Sequence, residues 1–127
     1  KYNFENMTSS LEDYLEAVFV LSTKIENVRV TDIAEHLGGS KPSVNRAVNT
    51  LTQNGFLEHE TYGSIKITPM GESYAANVLH RHKLIKQFLV DTLGVDEENA
   101  ENDACKMEHV MSSVTIDKLY EYLERQG

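Results

Sequence analysis

The sequence of 127 residues has little cysteine, little positive charge and no long hydrophobic run. Its one cysteine, Cys105, excludes an internal disulfide framework and fits a reducing compartment, which we expect to be the cytoplasm. No apolar run approaches the ~18–20 residues that span a membrane. The first residues also lack the apolar core of a secretory signal, so we expect no membrane partner.

The shortage of positive charge bears on nucleic-acid binding. A formal net charge of −8 argues against it, because phosphate contacts need basic side chains. The charges are unevenly distributed, however. Residues 96–127 contain nine acidic and three basic side chains, whereas residues 24–66 contain five of each. The middle of the chain therefore remains a candidate for binding DNA.

The first half of the chain has the element order of a winged helix-turn-helix. A first helix is predicted from about Leu11 to Lys24, capped by Ser9 or Ser10, and a second over Asp32–Leu37, capped by Thr31. After a Gly38-Gly39 turn, Ser40 caps a third helix that runs to about Asn54. Two strands follow, over Phe56–Glu60 and Ser64–Ile67, around Tyr62-Gly63. Two helices joined by a tight turn and followed by a hairpin typically bind DNA.

The second half of the chain is predicted to be helical. Thr68 caps a long helix that runs to about Thr92, and two further helices cover roughly residues 99–111 and 115–125. The fold class is therefore mainly α. We predict a DNA-binding domain over residues 1–74 and an all-helical domain over residues 75–127.

The helix that begins at Ser40 is the predicted DNA-reading element. Its inner side is expected to bury Val44, Ala47, Val48 and Leu51, and its outer side is polar. The candidate DNA-binding residues are Ser40, Lys41, Pro42, Ser43, Asn45, Arg46, Asn49 and, on the wing, Lys66. Ser43 and Arg46 suit base edges, while Ser40, Lys41 and Lys66 suit phosphates. The alternative is a helical bundle whose polar residues simply face water.

A polar stripe near the end of the chain suggests a metal site. In a helix, Cys105, Glu108 and His109 share one face, and a thiol, a carboxylate and an imidazole bind transition metals. Asp13 and Glu16 stand three residues apart on the first helix. Taken singly, each of these residues has an ordinary alternative as a buried thiol, a solvated side chain or a helix-dipole partner.

Several segments together resemble the diphtheria-toxin-repressor and manganese-transport-regulator family of metal-dependent repressors. The segments that carry the resemblance are Leu11-Glu12-Asp13-Tyr14-Leu15-Glu16, Val30-Thr31-Asp32-Ile33-Ala34-Glu35, Lys41-Pro42-Ser43-Val44, Ile67-Thr68-Pro69-Met70-Gly71, His80-Arg81-His82-Lys83-Leu84 and the run from Asn102 to Ser112. The resemblance covers nearly the whole sequence, from Ser10 to about Tyr122. It does not extend to the C-terminal SH3-like domain of longer members.

The resemblance implies a ligand set that combines two branches of the family. The implied ligands are Asp13, Glu16, His82, Cys105, Glu108 and His109. A cysteine at position 105 is similar to the iron-responsive branch, whereas Asp13 and Glu16 are similar to the manganese-responsive branch. Lys86 and Glu101 stand where the iron branch has a glutamate and a histidine, so no iron-type ancillary site is expected.

The ligand chemistry favours Fe²⁺ slightly over Mn²⁺, and Co²⁺, Ni²⁺ or Zn²⁺ are expected to substitute. Three carboxylates and a thiolate bring four negative charges together, which favours two divalent ions per subunit, with one ion as the alternative. The resemblance further implies that residues 75–127 are a metal-binding and dimerization domain. It also implies a homodimer, a palindromic double-stranded DNA operator and repression of metal-uptake genes.

Three other interpretations remain open at this point. The first keeps DNA binding but makes oxidation of Cys105, rather than metal, the signal. The second is a metallohydrolase, but this short helical sequence has no evident lid or phosphate loop, so we predict no enzymatic activity. The third is a protein-interaction module with a structural metal, and failure to bind any duplex DNA would favour it.

Overall fold

The computed structural model describes residues 7–60 and 63–126, and the chain divides into two compact units between Ala76 and Asn77. We predicted a boundary two residues earlier. The described elements are α1 (Ser9–Ser22), α2 (Val30–Leu37), α3 (Lys41–Gln53), β1 (Leu57–His59), β2 (Ile65–Ile67), α4 (Pro69–Gln87) with a π-helical extension (Phe88–Thr92), α5 (Glu97–Met107) and α6 (Ser113–Gln126). None of these helices is long and apolar enough to cross a bilayer.

Local hydrogen bonds decide where the first three helices begin. Thr8, rather than Ser9 or Ser10, caps α1 by accepting from the Leu11 amide at 3.1 Å. Helix α2 begins before the predicted cap Thr31, because the Asp32 carboxylate accepts from the Arg29 amide at 2.9 Å. The predicted cap of α3 is confirmed, since the Ser43 amide donates to Ser40 Oγ.

The core of the first unit joins the three helices to the hairpin. Its fully buried side chains include Leu15, Ile33, Leu51 and Ile65. Strand β1 pairs antiparallel with β2, and Val28 adds a single bridge to Ile65. These contacts place α3 and the wing in one folded unit. Tyr62 of the predicted turn lies outside the described residues.

Thr68 connects the wing to the start of α4 through three hydrogen bonds. Its hydroxyl shares one hydrogen between the carbonyls of Gly55 and Phe56, at 2.7 Å and 3.0 Å, and accepts from the Gly71 amide at 3.0 Å. We expect Thr68→Val to lower the free energy of unfolding by about 1–2 kcal/mol, as loss of a helix cap does. Urea titration of the metal-free protein measures this loss.

Thr50→Val is the matched control for that measurement. Within the described part of the chain, the Thr50 hydroxyl donates to the Arg46 carbonyl one turn earlier in the same helix. Its loss is expected to change stability by less than about 0.5 kcal/mol, because that carbonyl is also available to the helix ladder. Equal losses in the two variants would contradict a special role for Thr68.

The second unit packs α5 and α6 against α4 and its π-helical extension. Its buried core consists of Leu84, Ile85, Leu89, Ala100, Ala104, Ile116 and Leu123. The predicted helix over residues 99–111 is corrected at both ends. It begins at Glu97, because Asp96 accepts from the Asn99 amide at 3.0 Å, and it ends at Met107. Helix α6 begins at Ser113, two residues before the predicted start.

Candidate metal centre and DNA-reading surface

Helices α4 and α5 bring three of the predicted metal ligands together in the second unit. Donor atoms of His82, Cys105 and Glu108 all lie within 4.8 Å of one another. Glu108 is buried, His82 is partly buried and Cys105 is exposed. The core residues beside them explain this placement, because Leu84, Ile85 and Ala104 anchor the two helices. The cluster is open on the thiol side and enclosed on the carboxylate side.

The prediction that Cys105, Glu108 and His109 share one face of a helix is only partly correct. Cys105 lies in α5, but Glu108 is the C-cap of that helix, and His109 follows in a turn. Glu108 keeps a right-handed helical backbone, with φ −58° and ψ −27°, so its side chain still projects near that of Cys105. His109 Nε2 lies 3.8 Å from the second oxygen of Glu108. All four predicted ligands of this unit are therefore near neighbours.

His82 is held by a carboxylate at each ring nitrogen. Its Nδ1 lies 2.7 Å from Glu108 Oε1, and its Nε2 lies 3.0 Å from Glu101 Oε2. Burial opposes a charge on the ring, but the hydrogen bonds to Glu101 and Glu108 outweigh it and raise the pKa of His82 above its usual value. A divalent ion at His82 therefore competes with protonation of the ring.

Glu101 contacts this cluster, although the sequence indicated it only as the residue that stands in place of the iron branch's histidine. One oxygen accepts from His82, and the other lies 3.2 Å from Lys86 Nζ. The His82 hydrogen bond is the main reason that the pKa of Glu101 is lowered. Its spacing was a usable signal, because Glu101 stands one helical turn before Cys105, whose thiol donates to it at 3.6 Å.

The donor set fits a first-row divalent metal. Bonds of about 2.0–2.3 Å place neighbouring donor atoms about 3–4 Å apart, so the observed spacing needs only small side-chain movements. Imidazole nitrogen and thiolate sulfur suit iron, cobalt and zinc, whereas the carboxylate also suits manganese. The second unit therefore offers a nitrogen, a sulfur and an oxygen ligand.

The other two predicted ligands lie on α1 in the first unit. Asp13 is exposed and Glu16 is partly buried, and they stand one turn apart. The most buried carboxylate of this helix is instead their neighbour Glu12, which accepts a hydrogen bond from the Tyr74 hydroxyl. This hydrogen bond joins Glu12 to Tyr74 of the same unit, whereas Asp13 and Glu16 remain predicted ligands.

The predicted DNA-reading residues lie on α3, at its N-cap and on the wing of the first unit. Helix α3 buries Val44, Ala47, Val48 and Leu51, as predicted. The exposed candidates are Ser40, Lys41, Pro42, Asn45, Arg46, Asn49 and Lys66. Ser43 is partly buried, and its hydroxyl accepts from that of Ser40 at 2.9 Å. Because α3 contains no acidic residue, its outer face suits a polyanion.

Both units match known protein families. Residues 6–65 match the profile described as "Iron dependent repressor, N-terminal DNA binding domain". Residues 68–126 match the profile described as "Iron dependent repressor, metal binding and dimerisation domain". The mainly helical fold with a two-stranded wing, predicted from the sequence, is confirmed.

Individual relatives agree with the two profiles. The chain is 33% identical over 120 residues to an uncharacterized HTH-type transcriptional regulator of Methanocaldococcus jannaschii, covering 94% of this chain and 96% of that protein. It is 37% identical over 117 residues to the HTH-type transcriptional regulator MntR of Lysinibacillus sphaericus, covering 92% and 84%. The solved structure of the manganese regulator SloR superposes with a TM-score of 0.80 at 28% identity, covering 93% of this chain and 55% of SloR.

These matches decide between the interpretations that the sequence left open. They are to metal-dependent regulators of transcription, so they give no support to control by Cys105 oxidation, and the family does not consist of enzymes. The chain has a DNA-binding domain followed by a metal-binding and dimerisation domain. It belongs to the diphtheria-toxin-repressor and manganese-transport-regulator family of metal-dependent transcriptional regulators.

Proposed function

We propose that this protein is a repressor that binds its operator when Fe²⁺ or Mn²⁺ is available and thereby limits expression of metal-uptake genes. The observation that carries the proposal is the cluster of His82, Cys105 and Glu108 in the domain matched to metal binding. His109 lies beside this cluster and completes the proposed ligands of the second unit. Asp13 and Glu16 are proposed as the ligands supplied by the first unit.

The choice of metal follows from the donor atoms. The Cys105 thiolate favours Fe²⁺ over Mn²⁺, because thiolates prefer softer ions, whereas the carboxylates accept both. Mn²⁺ remains a full candidate, since SloR is a manganese regulator and the superposition covers 93% of this chain and 55% of SloR. We propose one or two ions per subunit, with Co²⁺, Ni²⁺ or Zn²⁺ as substitutes.

The ion acts on DNA binding through thermodynamic linkage. It strengthens binding only if it binds the DNA-competent arrangement of the protein more tightly than the other arrangements. DNA must then strengthen metal binding by the same factor. We propose a homodimer that presents two copies of α3 to a palindromic operator, with half-sites about 34–36 Å apart or a multiple of that distance.

The test is fluorescence-anisotropy titration of the purified protein against a pool of labelled DNA duplexes, under anaerobic conditions. The same titration is run with a chelator, with Fe²⁺ and with Mn²⁺. We expect an allosteric coupling of the usual 5–150-fold or more between metal and DNA. Equal affinity with chelator and with both ions would contradict metal control.

Arg46 is the residue of α3 from which we expect the largest contribution to sequence recognition. It is exposed on the outer face, and an arginine bound to guanine through two hydrogen bonds contributes about 1–3 kcal/mol of discrimination. We therefore expect Arg46→Ala to weaken operator binding by about 5- to 150-fold in the metal-loaded protein. Anisotropy titration against operator and scrambled duplexes measures both affinity and specificity.

Gln53→Ala is the control at the other end of the same helix. Gln53 is exposed at the last residue of α3, away from the N-terminal residues that reach base edges. It should bind the operator as the unmodified protein does. If Arg46→Ala weakens operator and scrambled duplexes equally, Arg46 contacts phosphate rather than a base.

A further inference from the structure

A lysine and two glutamates form a hydrogen-bonded chain that ends on His82. Lys86 Nζ lies 3.2 Å from Glu97 Oε2 and 3.2 Å from Glu101 Oε1. The other oxygen of Glu101 lies 3.0 Å from His82 Nε2. Lys86 thus holds one side of the Glu101 carboxylate and leaves the other side facing the imidazole.

A neutral imidazole has one N–H group and one nitrogen lone pair. When the lone pair binds a metal ion, the N–H group on the other nitrogen needs an acceptor, and that acceptor fixes the tautomer and the orientation of the ring. His82 has two candidate acceptors, Glu101 at Nε2 and Glu108 at Nδ1. Which carboxylate accepts the proton decides which nitrogen binds the ion.

Two observations distinguish the two carboxylates. Donor atoms of Glu108, His82 and Cys105 form one group within 4.8 Å, and Glu108 is buried. Glu101 is not a member of that group, although its Oε2 lies 3.0 Å from His82 Nε2 and accepts from the Cys105 thiol at 3.6 Å. Glu101 is also bound to Lys86, and an ion bound directly by Glu101 would be brought close to the positive ammonium group. Glu108 is therefore suited to bind the ion, and Glu101 is suited to accept a proton.

We propose that Glu101, held by Lys86, is a positioning residue that accepts the Nε2–H of His82 and so presents Nδ1 to the metal ion beside Glu108. This inference rests on the proposed function, because it assumes that His82 binds the ion. It assigns to Lys86 and Glu101 a task that does not require a second metal ion at their position.

The direct test uses the full chain with ¹⁵N-labelled histidine, loaded with Zn²⁺, which is diamagnetic. Long-range ¹H–¹⁵N correlation spectra identify the metal-bound and the protonated nitrogen of each ring, and His82→Gln assigns the His82 signals by their disappearance. We expect His82 to be metal-bound at Nδ1 and protonated at Nε2. Metal binding at Nε2, with metal-dependent DNA binding intact, would overturn this inference alone. No zinc-dependent change at His82 would overturn the proposed metal site as well.

Four variants test the same inference through metal affinity, measured by Co²⁺ titration of the absorption spectrum. Glu101→Leu removes the acceptor and is expected to weaken Co²⁺ binding 10- to 100-fold, as loss of such partners does. Glu101→Gln keeps an acceptor oxygen and should recover most of that affinity. Lys86→Leu should give an intermediate loss. Glu97→Gln is the control, because Glu97 contacts Lys86 but is not bonded to His82.

The pattern among these variants separates positioning from direct metal binding. If Glu101→Gln loses as much affinity as Glu101→Leu, the charge of Glu101 is what matters, and the inference is wrong. An equal loss in Glu97→Gln would also overturn it. Thermal unfolding in chelator identifies a variant that fails to fold, and the labelled-histidine spectra of the unmodified protein then decide the question.

Discussion

Glu108→Gln is expected to lower the affinity for Mn²⁺ and Fe²⁺ by at least about 100-fold and to abolish metal-dependent DNA binding. Only 2% of Glu108 is exposed, and its carboxylate contacts His82 at 2.7 Å and His109 at 3.8 Å. Glutamine has the same shape and can still accept a hydrogen bond from His82, but it lacks the negative charge that binds a divalent ion. The variant should therefore fold, but metal ions should no longer increase its affinity for DNA.

Isothermal titration calorimetry with Mn²⁺ and anisotropy titration with DNA measure the two effects. Glu98→Gln is the matched control, because Glu98 is an exposed residue of the same helix and lies outside the donor cluster. It removes the same charge from α5 and should leave both affinities unchanged. Unchanged Mn²⁺ affinity in Glu108→Gln would mean that the cluster is not the regulatory site.

The parts of this structure that depend on local sequence were predictable. The inner side of α3 follows from helical periodicity, and its start follows from Ser40 and Pro42. The end of α5 was not predictable in the same way, because no glycine or proline follows Met107. There the chain changes to shorter-range bonds, from Val110 to Met107 and from His109 to Lys106.

The contacts that join different helices at the site could not be predicted from the spacing of residues along the sequence alone. Cys105 and Glu108 lie three residues apart, but only the resemblance to a family selected His82 from the preceding helix. Nothing in the spacing indicates that Glu101 bonds His82 or that Lys86 bonds Glu101, because both contacts join α4 to α5. The same holds for the burial of Glu12 beside Tyr74.

Gly71 gives the clearest case in which packing and local propensity predict opposite results. Gly71 lies in the first turn of α4, where replacing glycine by alanine normally stabilises a helix by up to about 1 kcal/mol. In this protein a Cβ atom at residue 71 would lie 2.2 Å from the carbonyl oxygen of Phe56 and 2.8 Å from Ile67 Cγ1. The nearer atom belongs to the backbone that connects α3 to the wing.

We therefore expect Gly71→Ala to lower the free energy of unfolding by about 3 kcal/mol, at the upper end of the usual cost of overpacking. To make room for the Cβ atom, the backbone must move at the carbonyl of Phe56, which accepts from the Thr68 hydroxyl. We therefore expect the wing to loosen as well. Urea titration followed by circular dichroism measures the loss of stability, and hydrogen exchange at Ile65 and Ile67 measures the loosening of β2.

Gly39→Ala is the matched control, because a Cβ atom at residue 39 would meet only the Tyr14 hydroxyl, at an ordinary 3.7 Å. Its effect on stability should stay within about 0.5 kcal/mol, as for a substitution without a clash. If Gly71→Ala is as stable as Gly39→Ala, helix propensity outweighs packing at residue 71. The close approach of α4 to Phe56 would then not be what holds the wing in place.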